Sequence, residues 1–193
     1  MNISNLAEQA EDFTGNIWYI DGSEKILVDV GTRDSWNNIE QLEEVDKVVI
    51  THSHYDHVDN LTKVAEKHSP EIYAYKPENL DADAVKISEN DRLTLSDTEF
   101  QIIHTPGHKD DSVCLYSEEE KILFTGDLIF PEGGFGRTDL EEGDRELLIN
   151  SIQKITDLDV KNFYPGHENA VEEDANRQIQ DSLKQAEKRE SKY

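Results

Sequence analysis

The sequence predicts an α/β fold in which two β-sheets pack together and helices cover their outer faces. Short apolar runs with the composition of strands recur along the 193 residues, and segments with helical spacing stand both between these runs and after them. Pro-Gly pairs and single glycines close several of the runs, which is typical of turns at strand ends. A chain of this length is expected to form one domain over residues 1–193 with a substantial core.

The first half of the chain is predicted to begin with a β-hairpin and to continue with alternating helices and strands. Both predicted helices have apolar residues at helical spacing, as at Trp36, Ile39 and Leu42 in the first. In chain order we expect strands at residues 16–20 and 25–29, a helix at 34–44, a strand at 47–51, a helix at about 58–67 and a strand at 71–75.

The second half is predicted to contain two more hairpins, a last single strand and two helices. In the first of these helices, which Asp144 introduces, Leu148, Ile152 and Ile155 lie on one face. We expect strands at residues 92–95, 100–104, 112–116, 121–124 and 162–164, with helices after residue 144 and at 172–189.

A group of three histidines and one aspartate within residues 51–58 is the most informative local feature. The H-x-H-x-D-H pattern is formed by His52, His54, Asp56 and His57. Neutral imidazole and carboxylate are the usual ligands of zinc and its neighbours, so the pattern indicates a divalent metal site. A solvated polar loop would be the better interpretation of a single H-x-H, but the other histidines argue against it.

Three further potential ligands follow other predicted strands. His108 and His167 each come after an apolar run closed by Pro-Gly, and Asp127 follows an apolar run closed by glycine. Loops at one rim of a sheet scaffold often carry sites, so we expect these side chains to converge on the cluster. Five histidines and two aspartates suffice for two metal ions. His68 and His104 stand outside this pattern and are expected to be surface or packed residues.

These motifs resemble those of the metallo-β-lactamase superfamily, and within it the glyoxalase II-like hydrolases. The resemblance spans nearly the whole chain and implies an αββα sandwich with two divalent ions, zinc being expected and iron or manganese being alternatives. The ligands that it implies are His52, His54 and His108 for the first ion, Asp56, His57 and His167 for the second, and Asp127 as the bridge. Asp29 matches the family's first aspartate, which supports the ligating histidines; a turn or a strand-end cap is the alternative for Asp29.

The resemblance and the chemistry of the site together lead us to expect hydrolysis of a small acyl thioester. A divalent ion makes bound water a nucleophile near neutral pH, Asp127 would hold the two ions together, and Asp56 would orient the hydroxide. The alternative is a persulfide dioxygenase, for which the resemblance implies a single iron on His52, His108 and Asp127. Only 26 residues follow His167, so we expect no C-terminal glutathione-binding helical domain, and the thiol carrier stays open.

The composition excludes several classes of partner. The chain has 43 acidic and 19 basic residues and a formal net charge of -24, which repels nucleic acids and anionic membranes. Because the acidic residues are spread along the chain, we hypothesise a halophilic protein that requires salt. We expect a cytoplasmic protein, since no run approaches the roughly 20 apolar residues of a membrane span and no secretion signal opens the chain. The only cysteine, Cys114, is expected to be a packed thiol.

Arg137, which follows a glycine-rich segment, and Lys109 are the remaining candidates for contact with a substrate. The glycines at 133, 134 and 136 lack the Lys and Ser/Thr of a phosphate-binding loop, so we expect a flexible loop beside the metal rim. Arg137 and Lys109 are weak candidates for binding a substrate carboxylate. For Arg137, pairing with Asp139 or Asp144 within the loop is the favoured alternative.

Overall fold

The larger of two packed β-sheets has six strands and is built from the first half of the chain. The computed structural model describes residues 2–8 and 13–188. In spatial order the strands are β1 (Asn2–Asn5), β2 (Trp18–Asp21), β3 (Lys25–Val28), β4 (Lys47–Val49), β5 (Glu71–Ala74) and β6 (Val85–Lys86). Strands β1 to β3 pair antiparallel, whereas β3 to β6 pair parallel, so that the carboxyl ends of β3 and β4 lie at the same edge.

The second sheet has five strands and comes from the second half of the chain. Its strands and those of a small two-stranded sheet are β7 (Arg92–Leu95), β8 (Thr98–His104), β9 (Val113–Ser117), β10 (Ile122–Gly126), β11 (Ile129–Phe130), β12 (Gly134–Phe135) and β13 (Asn162–Pro165). The five-stranded order is β13-β10-β9-β8-β7, and β11 pairs with β12. Only the β10–β13 pair is parallel among the ladders of this sheet, which brings the ends of these two strands together.

Within residues 2–8 and 13–188, five α-helices complete the fold. They are α1 (Trp36–Glu40), α2 (Tyr55–Val58), α3 (Leu61–His68), α4 (Arg145–Ile155) and α5 (Ala175–Lys188). Residues of α1 and α3 share an apolar cluster with the larger sheet, and residues of α4 and α5 share one with the five-stranded sheet. The predicted α/β fold with two sheets between helical layers is therefore confirmed. Among the described residues, no helix has both the length and the apolar character that crossing a membrane requires.

A third apolar cluster fills the space between the two sheets. Val28 and Val49 of the larger sheet share it with Phe100 and Phe124 of the other, and all four side chains are fully buried. Strand β10 is buried on both faces, because Phe124 belongs to this cluster while the neighbouring Leu123 belongs to the cluster beneath α4 and α5. Burial on both faces is expected of a sheet covered by helices on one side and by a second sheet on the other.

Two predicted helices differ from those observed. The helix expected at residues 34–44 is a 3₁₀ turn followed by α1, which ends at Glu40; asparagine is a poor helix former, and the Asn38 side chain donates a hydrogen bond to the Leu6 carbonyl instead. The helix expected at about 58–67 is observed as α3, which begins only at Leu61, and the short helix α2 precedes it. Between them the buried Asn60 amide donates to the Val30 carbonyl, 2.9 Å away, and ties the break to the rim of the larger sheet.

Several short elements were not predicted. Strand β1 is mostly polar, and β6, β11 and β12 are only two residues long, so none has a periodic apolar pattern. The expectation that residues 133–136 form an irregular loop was wrong, because this segment includes the end of a 3₁₀ turn and strand β12. The last predicted helix is observed as α5; its predicted final residue, Arg189, lies outside the described residues.

Candidate metal centre

The ends of four strands meet at one rim of the sandwich. Asp29 follows β3 and His52 lies three residues after β4, while Asp127 follows β10 and His167 lies two residues after β13. Strands β3 and β4 pair parallel, and so do β10 and β13. The carboxyl ends of each pair therefore emerge at the same edge of their sheet. The backbone N–H of Val113 donates to the Thr51 carbonyl at 2.9 Å, which joins the rims of the two sheets.

The three-histidine group consists of His52, His54 and His108. One ring nitrogen from each lies within 4.8 Å of the others, a spacing that a single metal ion can bridge. His54 Nδ1 is 2.9 Å from His108 Nε2, and these two rings are nearly perpendicular. His52 and His108 are buried, whereas His54 is partly exposed.

The aspartate-containing group consists of Asp56, His57 and His167 and has the same spacing. His167 Nε2 is 3.0 Å from Asp56 Oδ2, and His57 Nε2 is 3.7 Å from the same oxygen. Asp127 lies between the two groups, because its carboxylate oxygens are 3.5 Å from His57 Nε2 and 3.4 Å from His108 Nε2. All seven side chains that the sequence singled out are therefore brought together.

Hydrogen bonds on the far side of the rings fix the direction of two imidazoles. His57 Nδ1 lies 2.8 Å from Asp29 Oδ2, which leaves Nε2 directed towards the carboxylates of the site. His108 Nδ1 lies 2.8 Å from the carbonyl oxygen of Arg137. A histidine that binds metal usually makes such a contact through its other nitrogen. The expected contact between Asp29 and a histidine of the cluster is present.

The buried carboxylates and imidazoles of the site strongly shift one another's pKa. Burial acts to lower the pKa of His57, yet Asp29 and Asp127 outweigh it and raise this pKa well above its usual value. Burial likewise acts against the Asp127 carboxylate, but His57 and His167 hold the pKa of Asp127 well below its usual value. Despite its burial, His167 has a pKa of about 9 because of Asp127 and Asp56. The carboxylates therefore favour positive charge in the site.

The donor atoms fit a bound cation. His52 Nε2, His57 Nε2 and Asp127 Oδ1 are buried and have no hydrogen-bond partner. Buried polar atoms without a partner are costly, and divalent ions bound by the two groups would satisfy all three. Gly166 allows this close packing, since a Cβ atom there would lie 2.1 Å from Asp127 Oδ1. The nitrogen and oxygen donors are those that zinc, iron and manganese accept.

The weak candidates for substrate contact are already paired. Arg137 Nε is 2.7 Å from Asp139 Oδ1, so the pairing expected within the loop is present, and both side chains are exposed. Lys109 is buried and donates to the carboxylate of Glu142. Each cation would need to exchange its carboxylate partner to bind a substrate.

The two remaining histidines lie outside both donor groups. His68 is the last residue of α3, and His104, the last residue of β8, stacks on Tyr75 with ring centroids 4.0 Å apart. Cys114 is fully buried among apolar side chains, and burial raises the pKa of its thiol to about 12. The expectation that this cysteine is a packed thiol agrees with both findings.

Thr51 and Phe13 touch the site but were not among the residues that sequence reasoning singled out. The Thr51 hydroxyl donates to Asp29 Oδ2 at 2.7 Å and lies 3.1 Å from His52 Nδ1, which links the aspartate to the three-histidine group. The ring of Phe13 stacks on His167 with centroids 5.0 Å apart, although 76% of this side chain is exposed. Thr51 could have been suspected from its place before His52, whereas no local pattern marks Phe13.

Comparison with known sequences agrees with this geometry. The family model described as "Metallo-beta-lactamase superfamily" matches residues 10–167. A hydroxyacylglutathione hydrolase of Francisella tularensis subsp. novicida (strain U112) is 34% identical over 128 residues, which are 65% of this chain and 50% of that protein. The chain thus spans about half the length of this relative.

Solved structures show the same fold. BLEG-1 B3 metallo-beta-lactamase has a TM-score of 0.75 and 25% identity, covering 95% of this chain and 97% of its own. ETHE1 from Myxococcus xanthus has a TM-score of 0.73 and 21% identity, covering 97% and 91%. TTHA1623 in a di-iron-bound form has a TM-score of 0.71 and 22% identity, covering 89% and 92%. At these identities, the last two comparisons support the fold alone.

Proposed function

We propose that this chain, which belongs to the metallo-beta-lactamase superfamily, is a metal-dependent hydrolase. Its proposed reaction is the cleavage of small acyl thioesters. TTHA1623, which has the same fold, has been solved in a di-iron-bound form, and this chain has a cluster of histidines and aspartates that could hold two ions. The ligands that we propose are His52, His54 and His108 for one ion and Asp56, His57 and His167 for the other, with Asp127 between them. Zinc is the proposed metal.

The observation that carries the proposal is the presence of two complete donor groups around one buried carboxylate. A site for a single iron would need only His52, His108 and Asp127, and Asp56 would then have no ligand role. In the structure, Asp56 forms a donor group with His57 and His167, and its Oδ2 is 3.0 Å from His167 Nε2. This second group supplies the additional ligands that a dinuclear hydrolase requires. Persulfide dioxygenases keep the same residues, so the metal content and the reaction itself distinguish the two functions.

The residues of the site have separate tasks in this reaction. Bound divalent ions would supply an acidic water as the nucleophile and would stabilise the charge that develops on the substrate oxygen. Asp29 and the Arg137 carbonyl hold the rings of His57 and His108 in the required orientation. In the proposed reaction, Asp56 would accept a hydrogen bond from the attacking water. A thiolate leaves readily without protonation, so the lack of a dedicated general acid in the proposed set suits a thioester.

The proposed substrate is a hydroxyacyl thioester of low molecular weight. The relative named hydroxyacylglutathione hydrolase supports this class, although it is about twice as long as the part that the chain covers. Arg137 and Lys109 are proposed to contact a carboxylate of the substrate. Because Asp139 and Glu142 already neutralise them, such contacts require these ion pairs to open.

Parallel assays and a metal analysis of the purified protein test the proposal. We expect an S-lactoyl thiol to be hydrolysed with release of free thiol and without oxygen uptake, in a reaction that a chelator abolishes and added zinc restores. Elemental analysis should give about two metal ions per chain, as expected for two donor groups. Oxygen uptake on a thiol persulfide with one iron per chain and no thioester cleavage would identify a dioxygenase. Cleavage of a cephalosporin alone would identify a β-lactamase.

Two ligand variants sharpen the test, with exposed Asp157→Ala as the control. His54→Ala should strongly reduce thioester cleavage, because His54 belongs to the three-histidine group but not to the set of three ligands implied for a single iron. Asp127→Ala should lower kcat/KM further still, since its carboxylate lies against both groups. Its loss should exceed the roughly 10- to 100-fold typical of residues that only support a ligand. Normal turnover by His54→Ala would contradict the dinuclear assignment.

A further inference from the structure

Asp111 is a buried carboxylate that lies just outside the seven-residue site. It is 4% exposed and accepts hydrogen bonds from two residues that are distant in sequence. The Ser53 hydroxyl donates to Oδ2 at 2.5 Å, the Ser53 backbone N–H donates to Oδ1 at 3.3 Å, and the Asn79 amide donates to Oδ2 at 3.1 Å. Three donors on one buried carboxylate indicate a fixed position, because an ionised group away from water requires such partners.

Ser53 is the residue between two proposed ligands, His52 and His54. The chain is not helical at residues 52–54, and His54 itself has extended backbone angles (φ -67, ψ 145). In an extended segment, neighbouring side chains point to opposite sides. Since His52 and His54 point to the metal centre, the Ser53 side chain points away from it, where it reaches Asp111. The carboxylate therefore holds this loop from behind.

Asp111 also belongs to the loop that carries the third histidine of the group. His108 lies three residues before it, and the N–H of Ser112 closes the turn on the Lys109 carbonyl at 3.3 Å. One carboxylate thus connects the loop of His52 and His54 to the loop of His108. All three histidines of the three-histidine group lie on the two loops that Asp111 joins.

The aspartate-containing group has other supports. His57 is oriented by Asp29 at 2.8 Å, and the loop of His167 is held by the Asn16 amide, which donates to the carbonyls of Pro165 and Glu168 at 2.9 and 2.7 Å. The hydrogen bonds of Asp111 reach neither of these supports. Removing the Asp111 carboxylate should therefore affect the two groups unequally.

We infer that Asp111 is a positioning residue that sets the mutual geometry of the three-histidine group and thereby its affinity for a divalent metal ion. The inference rests on the metal site proposed above. It does not depend on the substrate, because metal affinity is measured without turnover. If the protein binds zinc but cleaves no thioester, the proposed function is wrong, and the effect of Asp111 on metal affinity can still be measured.

The test measures zinc affinity by competition with a chromophoric chelator in two backgrounds. His167→Ala removes a ligand of the aspartate-containing group, so that the measured zinc affinity is mainly that of the three-histidine group. His54→Ala does the reverse. Adding Asp111→Asn should weaken zinc binding by about 10- to 100-fold in the first background, as for other residues that orient ligands. In the second background, zinc affinity should be unchanged. Equal losses in both backgrounds, or none in either, would overturn the inference.

A matched control and a second variant separate positioning from general stability. Asp110→Asn makes the same charge change one residue away, where the exposed side chain pairs with Lys76, and should leave zinc affinity unchanged. Ser53→Ala keeps the Asp111 charge but removes its shortest hydrogen bond, so it should weaken the same group in the same direction. Melting curves of the metal-free proteins complete the test. A lower Tm with unchanged zinc affinity would show that Asp111 is merely structural.

Discussion

Asp29 shows how much of the site depends on the conformation of one residue. It is buried, and its φ of 61° lies in the left-handed region that residues other than glycine seldom adopt, although aspartate is among those that tolerate it best. This conformation turns the chain after β3 so that the carboxylate accepts from the Thr51 N–H at 2.7 Å and contacts His57. Glycine would suit the backbone here but would leave His57 without its orienting partner.

At the same scale, the buried thiol of Cys114 provides a prediction about pH. Burial raises its pKa to about 12 from an ordinary value of 9.0, so the folded protein keeps a proton that the unfolded chain loses above pH 9. Iodoacetamide at pH 9 should therefore modify the native protein much more slowly than the urea-unfolded protein. As the only cysteine in the chain, Cys114 accounts for all of the signal in a mass measurement.

The same shift links Cys114 to stability at alkaline pH. The contribution of the protonated thiol to the free energy of unfolding is fully present below pH 9. It falls by about 1 kcal/mol per pH unit as pH rises towards 12, because only the unfolded chain loses the thiol proton in this range. Fast modification of native protein that retains its circular dichroism spectrum would contradict a buried, high-pKa thiol.

At the scale of elements, the sequence predicted the positions of the candidate ligands because they follow strands with strong apolar patterns. Strands β4, β10 and β13 were each expected within two residues of their observed ends, and His52, Asp127 and His167 follow them. Parallel pairing then places these residues at one rim. Local pattern and sheet geometry are enough to assemble this part of the site.

What could not be predicted depends on contacts between distant segments. The break between α2 and α3 occurs at Asn60, whose amide reaches the Val30 carbonyl. The contact of Asp111 with Ser53 joins residues 58 apart in sequence, and Lys109 meets Glu142 across 33 residues. No periodicity records such pairings, because each depends on a side chain whose partner is set by the tertiary fold.

The start of α4 gives a prediction at the same scale. Asp144 is the N-cap of this helix, and its Oδ1 accepts from the Leu147 N–H at 3.0 Å. Asp144→Ala should lower the free energy of unfolding by about 1 kcal/mol, whereas Asp144→Asn should retain most of the stability. Glu146→Ala is the control, since Glu146 is exposed in the first turn but is not the cap. Urea denaturation measures the difference, and equal effects of the two alanine variants would exclude a capping role.

At the scale of the whole molecule, the excess of negative charge is a surface property. In the part of the chain that the structure describes, the buried acidic residues are Asp29, Asp111 and Asp127, each with nearby donors or imidazoles. Exposed acids have fewer basic partners, because the sequence has 43 acidic and only 19 basic residues. The turn between β9 and β10 is an example, with three successive exposed glutamates at 118–120.

We propose that salt stabilises the fold by screening this repulsion. The Debye length falls from about 10 Å at 0.1 M to about 3 Å at 1 M salt, so most of the gain in Tm should occur below about 1 M potassium chloride.

The triple variant Glu118→Gln, Glu119→Gln and Glu120→Gln should have a higher Tm than the parent at low salt, by about 2–4 °C if 1 kcal/mol of repulsion is relieved. Its Tm should also rise less with salt. Calorimetry across a potassium chloride series measures both effects. A Tm that is constant from low to multimolar salt would refute the salt requirement. Equal salt dependence in parent and variant would instead show that repulsion at this turn does not contribute to it.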